Sequence, residues 1–453
     1  MAGDGFRRIT FAELIAEGKL EIGDGYRAKN EELGGDGLMF LRAGHVTDTH
    51  IDFDGVERFH VALEQRLQSK VARPGDAVIT TKGNSTGRTT YVTRSMPPFV
   101  YSPHLSYWRS LDTSRVAGGF LRYWSKGPEF TEQLAGMKGS TDMAPYLSLI
   151  DQRRLEITLP SIGEQCAIAN ILGTLDDKIE LSRQMNETLE AMARALFKSW
   201  FVNFDPVRAK AEGRDPGLPK HIADLFPDSY EDSELGEIPR GWGVKALTDC
   251  VDVARGLSYQ GSGLSEEGVP MHNLNSIYEG GGYKHEGLKR YDGDFKSQHI
   301  ARAGDLIVAN TEQGHDRLLI GYAAIVPACF GQHSLFSHHI YRVRPKPDSK
   351  LTADYLCHLL NTSVMHEFVS GYANGTTVNM LPIDGLQSPL IVAPPAHVIA
   401  AFGGIAQIAR TRHEKFIEES RTLATLRDTL LPKLISGEVR LKDTEDLIQE
   451  TTV

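Results

Sequence analysis

The sequence has 453 residues, 41% hydrophobic and 24% charged, which is an ordinary globular composition with enough apolar material for several cores. At roughly 150 residues per domain, two or three domains are expected. No run of about 18 apolar residues occurs, and the start MAGDGFRRIT lacks the shape of a secretion signal, so we expect a cytoplasmic protein with no membrane partner. The four cysteines form no CxxC pair, which argues against a disulfide framework or a cysteine-built zinc site.

Charge is unevenly distributed along the chain. The 49 basic and 59 acidic residues give a net charge of −10. Between Arg66 and Lys138, however, eleven basic residues stand against four acidic ones, an excess of seven (11 − 4). The stretch between Asp316 and Asp348 carries four basic residues and no acid. Two such regions can bind a polyanion in spite of the negative total, although an ordinary solvated surface produces the same pattern.

The chain is internally duplicated. The segment VARPGDAVITT (71–81) reappears as IARAGDLIVAN (300–310), an offset of 229 residues. Gly-Ser-Thr at 139–141 matches Gly-Thr-Thr at 375–377, and Leu189 matches Leu423, at offsets of 236 and 234. Such a small drift predicts the same elements in the same order in both halves.

Each half reads as a mixed α/β globular part followed by a long helix. Short apolar runs bounded by Gly, Asn and Asp predict strands at 77–80 and 89–92 in the first half, and at 306–308 and 322–326 in the second.

The first long helix is predicted over 161–201, about 60 Å at 1.5 Å per residue. Ser161 and Glu164 have the spacing of a capping box at its start. Apolar residues then step by three and four and predict a seam along one face: Ile168, Leu172, Leu175, Leu189, Met192 and Leu196.

The proline-rich and acidic segment 203–242 that follows predicts an extended linker over the surface. A second long helix is predicted from about Ala396 to Leu431, with Leu423, Leu426 and Leu430 in its seam and Pro432 as its end. Two amphipathic helices of this length are expected to pack on each other.

Polar, glycine-containing loops occupy equivalent places in the two halves. The first pair is TKGNSTGR (81–88) and NTEQGHDR (310–317), and the second pair is KGSTD (138–142) and NGTTVN (374–379). Lys and Arg contact phosphates or guanine, and Asn and Gln pair with adenine, so loops of this makeup suit base reading. Taken singly, each loop also fits an ordinary turn. The DNA-binding candidates are Lys82, Asn84, Ser85, Thr86, Arg88, Lys138, Ser140, Thr141, Asn310, Gln313, His315, Arg317, Thr376, Thr377 and Asn379.

Motifs of catalysis are not found in the sequence. The run MPPF (96–99) has Met where an adenine methyltransferase needs Asn, Asp or Ser, and no GxxxxGK[ST] loop for ATP occurs. Asp176 with Lys178, and Asp348 with Lys350, match the spacing of a metal nuclease only by chance in our interpretation. The histidines at 333, 338 and 339 have no nearby carboxylates to complete a metal site.

Three segments resemble the specificity subunits of type I restriction-modification systems: LPSIGEQCAIA (159–169), LFKSWFVNFDPVRAKAEGR (196–214) and SELGEIPRGW (233–242). The resemblance implies two pseudo-symmetric α/β (α+β) target-recognition domains, at 1–158 and 243–393. Long helices at 159–203 and 394–437 would form an antiparallel coiled coil, with a linker at 204–242 and an acidic tail at 438–453. The second helix departs from many members by starting Ala-His-Val-Ile instead of with a Gln-rich run.

The same resemblance implies a non-catalytic subunit that reads a bipartite site on double-stranded DNA. Two methyltransferase subunits would dock on the coiled coil, and restriction subunits would join through the complex. This chain would hold no cofactor or metal, since AdoMet, ATP and Mg²⁺ belong to the partners. The alternatives are a specificity subunit of a related bipartite-site enzyme and a helical scaffold that binds only proteins.

Overall fold

The computed structural model describes residues 7–47, 50–138, 146–313, 316–375 and 378–439. The chain forms two units: unit 1 consists of residues 1–181 and 419–453, and unit 2 of residues 182–418. Among the described residues, no helix combines the length and the apolar character needed to cross a membrane.

Unit 1 is built around a four-stranded antiparallel sheet in the order β2, β7, β4, β5. A parallel pair, β3 with β6, and an antiparallel pair, β1 with β8, lie beside it. The strands are β1 (Arg7–Thr10), β2 (Leu20–Asp24), β3 (Met39–Leu41), β4 (Ala77–Thr80), β5 (Thr89–Tyr91), β6 (Phe99–Tyr101), β7 (Leu105–Ser110) and β8 (Glu156–Leu159). The helices are α1 (Phe11–Ala16), α2 (Glu64–Leu67), α3 (Gly118–Trp124), α4 (Pro128–Lys138) and α5 (Leu149–Arg153).

The first long helix, α6 (Ile162–Phe197), continues as a wider π-helical turn, Lys198–Val202. Its capping box is formed as expected, because Ser161 Oγ contacts Glu164 Oε2 at 2.8 Å and the carboxylate also accepts from the Ser161 amide at 3.1 Å.

Unit 2 repeats the sheet of unit 1 in the order β12, β20, β16, β18, again antiparallel throughout. Its strands are β9 (Tyr230–Ser233), β10 (Gly236–Pro239), β11 (Gly243–Ala246), β12 (Val251–Arg255), β13 (Leu264–His272), β14 (Lys289–Tyr291), β15 (Ile300–Ala301), β16 (Leu306–Ala309), β17 (Thr311–Gln313), β18 (Ala323–Ile325), β19 (Ser334–Phe336), β20 (Ile340–Pro345), β21 (Val378–Met380) and β22 (Leu390–Ala393). Its helices are α7 (Asp205–Ala211), α8 (Lys220–Ala223), α9 (Leu247–Cys250), α10 (Ala353–Leu360), α11 (Ser363–Ser370) and α12 (Ile383–Gln387). The last helix, α13 (Ala396–Ser436), passes through both units.

The repeated Gly-Asp motif places the same Asp–Arg ion pair in each unit, buried in unit 1 and partly exposed in unit 2. In unit 1 the carboxylate of Asp76, at the start of β4, accepts two hydrogen bonds of 2.7 Å from Arg109 on β7. In unit 2, Asp305 accepts two of 2.6 Å from Arg344 on β20. Each carboxylate also accepts from the backbone three residues earlier. The duplicated sequence therefore encodes a duplicated sheet with the same internal clamp.

The two long helices pack on each other within each unit. In unit 1, Ile168, Leu172, Leu175 and Leu430 are buried in one core, with Leu423 and Leu426 packed partly buried against it. In unit 2, Glu190 pairs with His413 at 3.1 Å, and the rings of Phe197 and Phe402 lie 5.5 Å apart. Because 190 meets 413 and 197 meets 402, the helices are antiparallel there.

Two details of the predicted helices are wrong. Met192 is 63% exposed and lies outside the seam in unit 2, whereas the predicted seam residues Leu189 and Leu196 are half-buried and the next residue, Phe197, is buried. Pro432 does not end α13, which continues to Ser436. Its missing amide costs the helix one hydrogen bond, but buried Leu434 and Ile435 anchor the final turn.

The segment predicted as an extended surface linker is folded. It contains α7, α8 and the hairpin of β9 and β10, paired from Tyr230 to Pro239. Val207, Phe226, Ile238 and Trp242 are buried in the core of unit 2. These four apolar anchors outweigh the prolines and acids between them, so the linker prediction is corrected.

Candidate nucleic-acid interface

The first polar loop of unit 1 is a tight turn between β4 and β5. The amide of Gly87 donates to the carbonyl of Thr80 at 2.8 Å, and the hydroxyl of Thr86 donates to the carbonyl of Gly83 at 2.6 Å. Both glycines have positive φ, 87° and 91°, which other residues adopt only at a cost. The turn leaves Lys82 and Asn84 exposed and Ser85 half-buried. These three side chains remain candidates for DNA contact.

Two of the predicted contacts in this loop have internal partners instead. Thr86 is buried, with its hydroxyl committed to the loop backbone, which corrects its assignment as a base reader. Arg88 is half-buried and donates from Nη1 to the carbonyl of Val46 at 3.0 Å. Its guanidinium therefore fastens the loop to the neighbouring segment after β3.

The residues that follow the second predicted loop of unit 1 pair with the first loop. Lys138 is the last residue of α4, and Ser140 and Thr141 lie outside the described residues. Beyond them, Tyr146 forms an antiparallel bridge with Lys82, and the amide of Leu147 donates to the carbonyl of Thr81 at 2.9 Å. Tyr146 is 61% exposed. It joins the candidate surface, and nothing in the sequence pattern singled it out.

In unit 2 the two polar loops come together as a two-stranded ribbon. Strand β17 pairs antiparallel with β21, with Thr311 opposite Met380 and Gln313 opposite Val378. The amide of Leu381 donates to the carbonyl of Asn310 at 2.8 Å, the counterpart of the Leu147 bond in unit 1. The duplication thus extends to how the loops are anchored.

Burial corrects two predicted base readers in this ribbon. Asn310 is almost fully buried, and its Nδ2 donates to the carbonyl of His338 at 3.1 Å. Asn379 is 8% exposed. His315, Thr376 and Thr377, like the side chains of Lys138 and Gln313, lie outside what the structure describes.

Glu312 shapes the tip of the second-half loop. Its buried carboxylate accepts from the amides of Leu318, Leu319 and Ile320 at 2.8, 3.1 and 3.2 Å. Three backbone donors compensate the burial of its charge. Arg317, just before them, has a left-handed backbone (φ 53°) and an exposed side chain, so it remains a candidate contact. One feature of the sequence could have indicated this role for Glu312, namely an acidic residue in a loop whose composition otherwise suits contact with a polyanion.

A duplicated histidine borders both loops. His104 and His339 follow Ser102 and Ser337 by two residues, at an offset of 235. The carbonyl of His104 accepts from the amide of Thr81 at 2.9 Å, and that of His339 accepts from Asn310 at 3.1 Å. His104 is exposed, whereas His339 Nδ1 lies 2.9 Å from the hydroxyl of Thr311. Burial, together with the charges of His338 and Lys289, lowers the pKa of His339. The internal repeat of the sequence could have identified this pair of histidines.

The D-x-K match on the first long helix has a structural explanation. Asp176 accepts from Arg427 at 2.8 Å, from Tyr123 at 2.8 Å, and from Arg122. Within the described ranges, no three His, Cys, Asp or Glu side chains are grouped so that they could hold a metal ion.

The bipartite DNA target implied by the sequence resemblance predicts that alteration of the first loop affects one half of that target only. Asn84→Ala should cost about 1–3 kcal/mol and relax the first half-site if it reads a base. Lys82→Ala should instead weaken all sequences evenly and reduce the salt slope by about one unit if it contacts a phosphate. Binding of the partner-assembled protein to duplexes randomised in one half-site at a time, at two salt concentrations, distinguishes these effects.

Arg317→Ala is the matched variant of the second half and should leave the first half-site preference unchanged. Unchanged affinity and preference in all three variants would show that these loops face solvent in the complex.

Comparisons with known proteins agree with this architecture. Residues 23–191 match the family model described as the type I restriction modification DNA specificity domain. The HindI specificity subunit of Haemophilus influenzae is 27% identical over 363 residues, covering 69% of this chain and 74% of that protein. The MjaIX specificity subunit of Methanocaldococcus jannaschii is 26% identical over 338 residues, covering 72% and 70%.

A crystal structure of the S subunit of a type I restriction-modification system from M. genitalium has a similar fold. Its TM-score is 0.59 at 14% sequence identity, and the match covers 96% of this chain and 97% of that one. The sequence comparisons confirm the resemblance found in the sequence, and the solved structure shows a similar fold.

Proposed function

From the type I restriction modification DNA specificity domain that this chain carries at residues 23–191, we propose that the protein is the DNA-recognition subunit of such a system. Each unit reads one half of a bipartite target. The observation that carries this proposal is the duplication of one sheet with a polar loop at the same edge. Thr81 and Asn310 begin these loops and accept equivalent backbone hydrogen bonds from Leu147 and Leu381. Two similar readers in one chain suit a site split into two parts.

The long helices set the distance between the half-sites as an antiparallel coiled coil. Their solvent side also provides a docking surface for methyltransferase subunits. In unit 2, Met185, Met192, Ile405 and Ile408 are between 40% and 63% exposed on these helices. Exposed apolar residues concentrated on two packed helices are typical of a protein-binding face. The restriction subunits join the complex through these partners.

In this proposal, the catalytic chemistry takes place on the partner subunits. AdoMet, ATP and Mg²⁺ bind there, and this chain supplies sequence recognition in the cytoplasm. The described parts of its polar loops are held by backbone bonds, as the Gly87 and Leu381 amides illustrate. Such loops can present side chains to a groove without a large ordering cost on binding.

Methyl transfer provides the test. The purified chain alone should transfer no labelled methyl group to DNA, and the methyltransferase partner alone should not select a site. Together they should modify one bipartite sequence, which is identified by sequencing modified adenines. Methyl transfer by this chain alone, or the same site chosen without it, would contradict the proposal.

A further inference from the structure

The β17–β21 ribbon of unit 2 presents apolar side chains where a polar face is the norm. Val378 and Met380 alternate with Asn379 and so share one face of β21. They are 44% and 52% exposed, whereas Asn379, on the opposite face, is 8% exposed. This is the reverse of the usual strand pattern, in which polar residues face water. An apolar face kept in solvent indicates a surface that binds something.

The neighbouring loop is fixed from the other face of the ribbon. Leu318 follows Arg317 and is half exposed, and its amide is fixed by Glu312, the residue opposite Asn379 in the ribbon. The ribbon is anchored at its other end by the bonds between Asn374 and Met380, 3.0 and 2.9 Å long. The apolar side chains are therefore held by a fixed backbone.

Cationic groups accompany the ribbon. Arg317 is exposed at the loop tip. Lys289 lies close enough to His339 for its charge to lower the pKa of that imidazole, and His339 contacts Thr311 in β17. Lys289 also donates to the hydroxyl of Tyr259 at 2.6 Å, so Arg317 is the exposed cation nearest to β17 along the chain that suits the phosphates bordering the base edges.

The two-stranded form and the apolar chemistry of the strip indicate the ligand. The major groove of B-DNA is about 12 Å wide and admits a two-stranded ribbon, and its main apolar feature is the C5-methyl group of thymine. The equivalent place in unit 1 carries Lys82 beside Tyr146, which are suited to polar contacts instead.

We propose that unit 2 recognises its half-site through the C5-methyl group of a pyrimidine, thymine in ordinary DNA, held against Val378 and Met380 in the major groove. This inference rests on the proposed function. It makes the two halves chemically different, because unit 1 reads with hydrogen-bonding groups and unit 2 with an apolar ribbon as well.

Replacement of thymine by deoxyuridine tests the inference, since it removes only the methyl group. The full chain is assembled with its methyltransferase partner and bound to its target duplex, with each thymine of the second half-site replaced in turn. At one or more positions the uracil duplex should bind about fourfold more weakly, the value expected for one buried methyl group. At those positions, the affinities of duplexes that carry 5-methylcytosine or cytosine opposite guanine are compared. This comparison separates the effect of the methyl group from that of the rest of thymine.

Two variants assign the effect to the ribbon. Val378→Thr and Met380→Gln should abolish the preference for thymine over uracil while leaving the first half-site preference intact. Val364→Thr is the matched control, because Val364 is 74% exposed on α11, outside the ribbon, and should keep the preference. Thermal unfolding of each variant checks that the fold is retained.

Several outcomes would overturn the inference. Equal binding of thymine and uracil duplexes by the wild-type complex at every position of the second half-site would do so. So would ribbon variants that lose partner binding with the thymine preference unchanged, which would place a protein on this surface. A complex that prefers no duplex at all would contradict the proposed function itself, and the two failures are thereby distinguished.

Discussion

Replacing Asp76 by alanine is expected to lower the free energy of unfolding of unit 1 by about 3–5 kcal/mol, because it leaves a buried guanidinium without its partner. Asp76 is fully buried and Arg109 nearly so, and their two hydrogen bonds are both 2.7 Å long. The hydroxyl of Tyr101 also loses its acceptor. Urea unfolding of the full chain, followed by tryptophan fluorescence, measures the loss, because Trp108 lies on the same strand as Arg109.

The duplication supplies the control for this variant. Asp305→Ala removes the equivalent carboxylate of unit 2, but the side chain of its partner Arg344 is 37% exposed. Water can solvate the freed guanidinium there, so the cost should be smaller than in unit 1. Equal costs for the two variants would show that burial of the arginine does not set the energy of this clamp.

Replacing Asp176 by alanine is expected to cost about 3 kcal/mol or more, because the largely buried Arg122 then lacks its carboxylate partner and Arg427 keeps only the exposed Asp428. Arg122 of α3, Asp176 of α6 and Arg427 of α13 meet in unit 1, so this carboxylate fastens the recognition domain to both long helices. The measurement is chemical unfolding together with assembly of the partner complex. Asp428→Ala is the matched control, since Asp428 pairs with the same Arg427 but is largely exposed and should cost under about 1 kcal/mol.

The same carboxylate gives the variant a characteristic pH dependence. Burial acts to raise the pKa of Asp176, but the charge of Arg122 and the hydrogen bonds from Arg427 and Tyr123 outweigh it, so the pKa lies below its ordinary value. A lowered pKa in the folded state contributes stability above the unfolded value of about 3.9, and that stability is lost as pH falls through the folded value. The stability difference between wild type and Asp176→Ala should therefore be constant near neutral pH and shrink below about pH 4. A difference that grows on acidification would contradict this assignment.

Local patterns were sufficient to predict the repeated sheet and the long helices. The apolar runs at 77–80 and 306–308 became β4 and β16, because short buried strands carry their signal within themselves. The linker was mispredicted because Val207, Phe226 and Trp242 find their core only through contacts distant in sequence. The composition of the segment shows its prolines and acids, but it does not show which apolar residues pack together in the folded protein.

The candidate site shows the same limit more sharply. Loop composition selected segments that the structure anchors in equivalent ways in the two units, and Lys82, Asn84 and Arg317 are exposed in them. The burial of Asn379 could not be predicted, because it follows from the register in which β21 pairs with the distant strand β17. The burial of Asn310 likewise depends on a distant partner, the carbonyl of His338. A shift of one residue in that register would exchange Asn379 for Val378 and Met380.

The anchoring of the loops also bears on how such a protein changes over generations. The bonds from Leu147 to Thr81 and from Leu381 to Asn310 join backbone to backbone, so they do not depend on which side chains the loops carry. A substitution at Asn84 or Met380 alters what is presented without loosening the attachment of the loop. Under the proposed function, mutation therefore alters the two halves of the target independently while the backbone bonds that hold both loops are inherited unchanged.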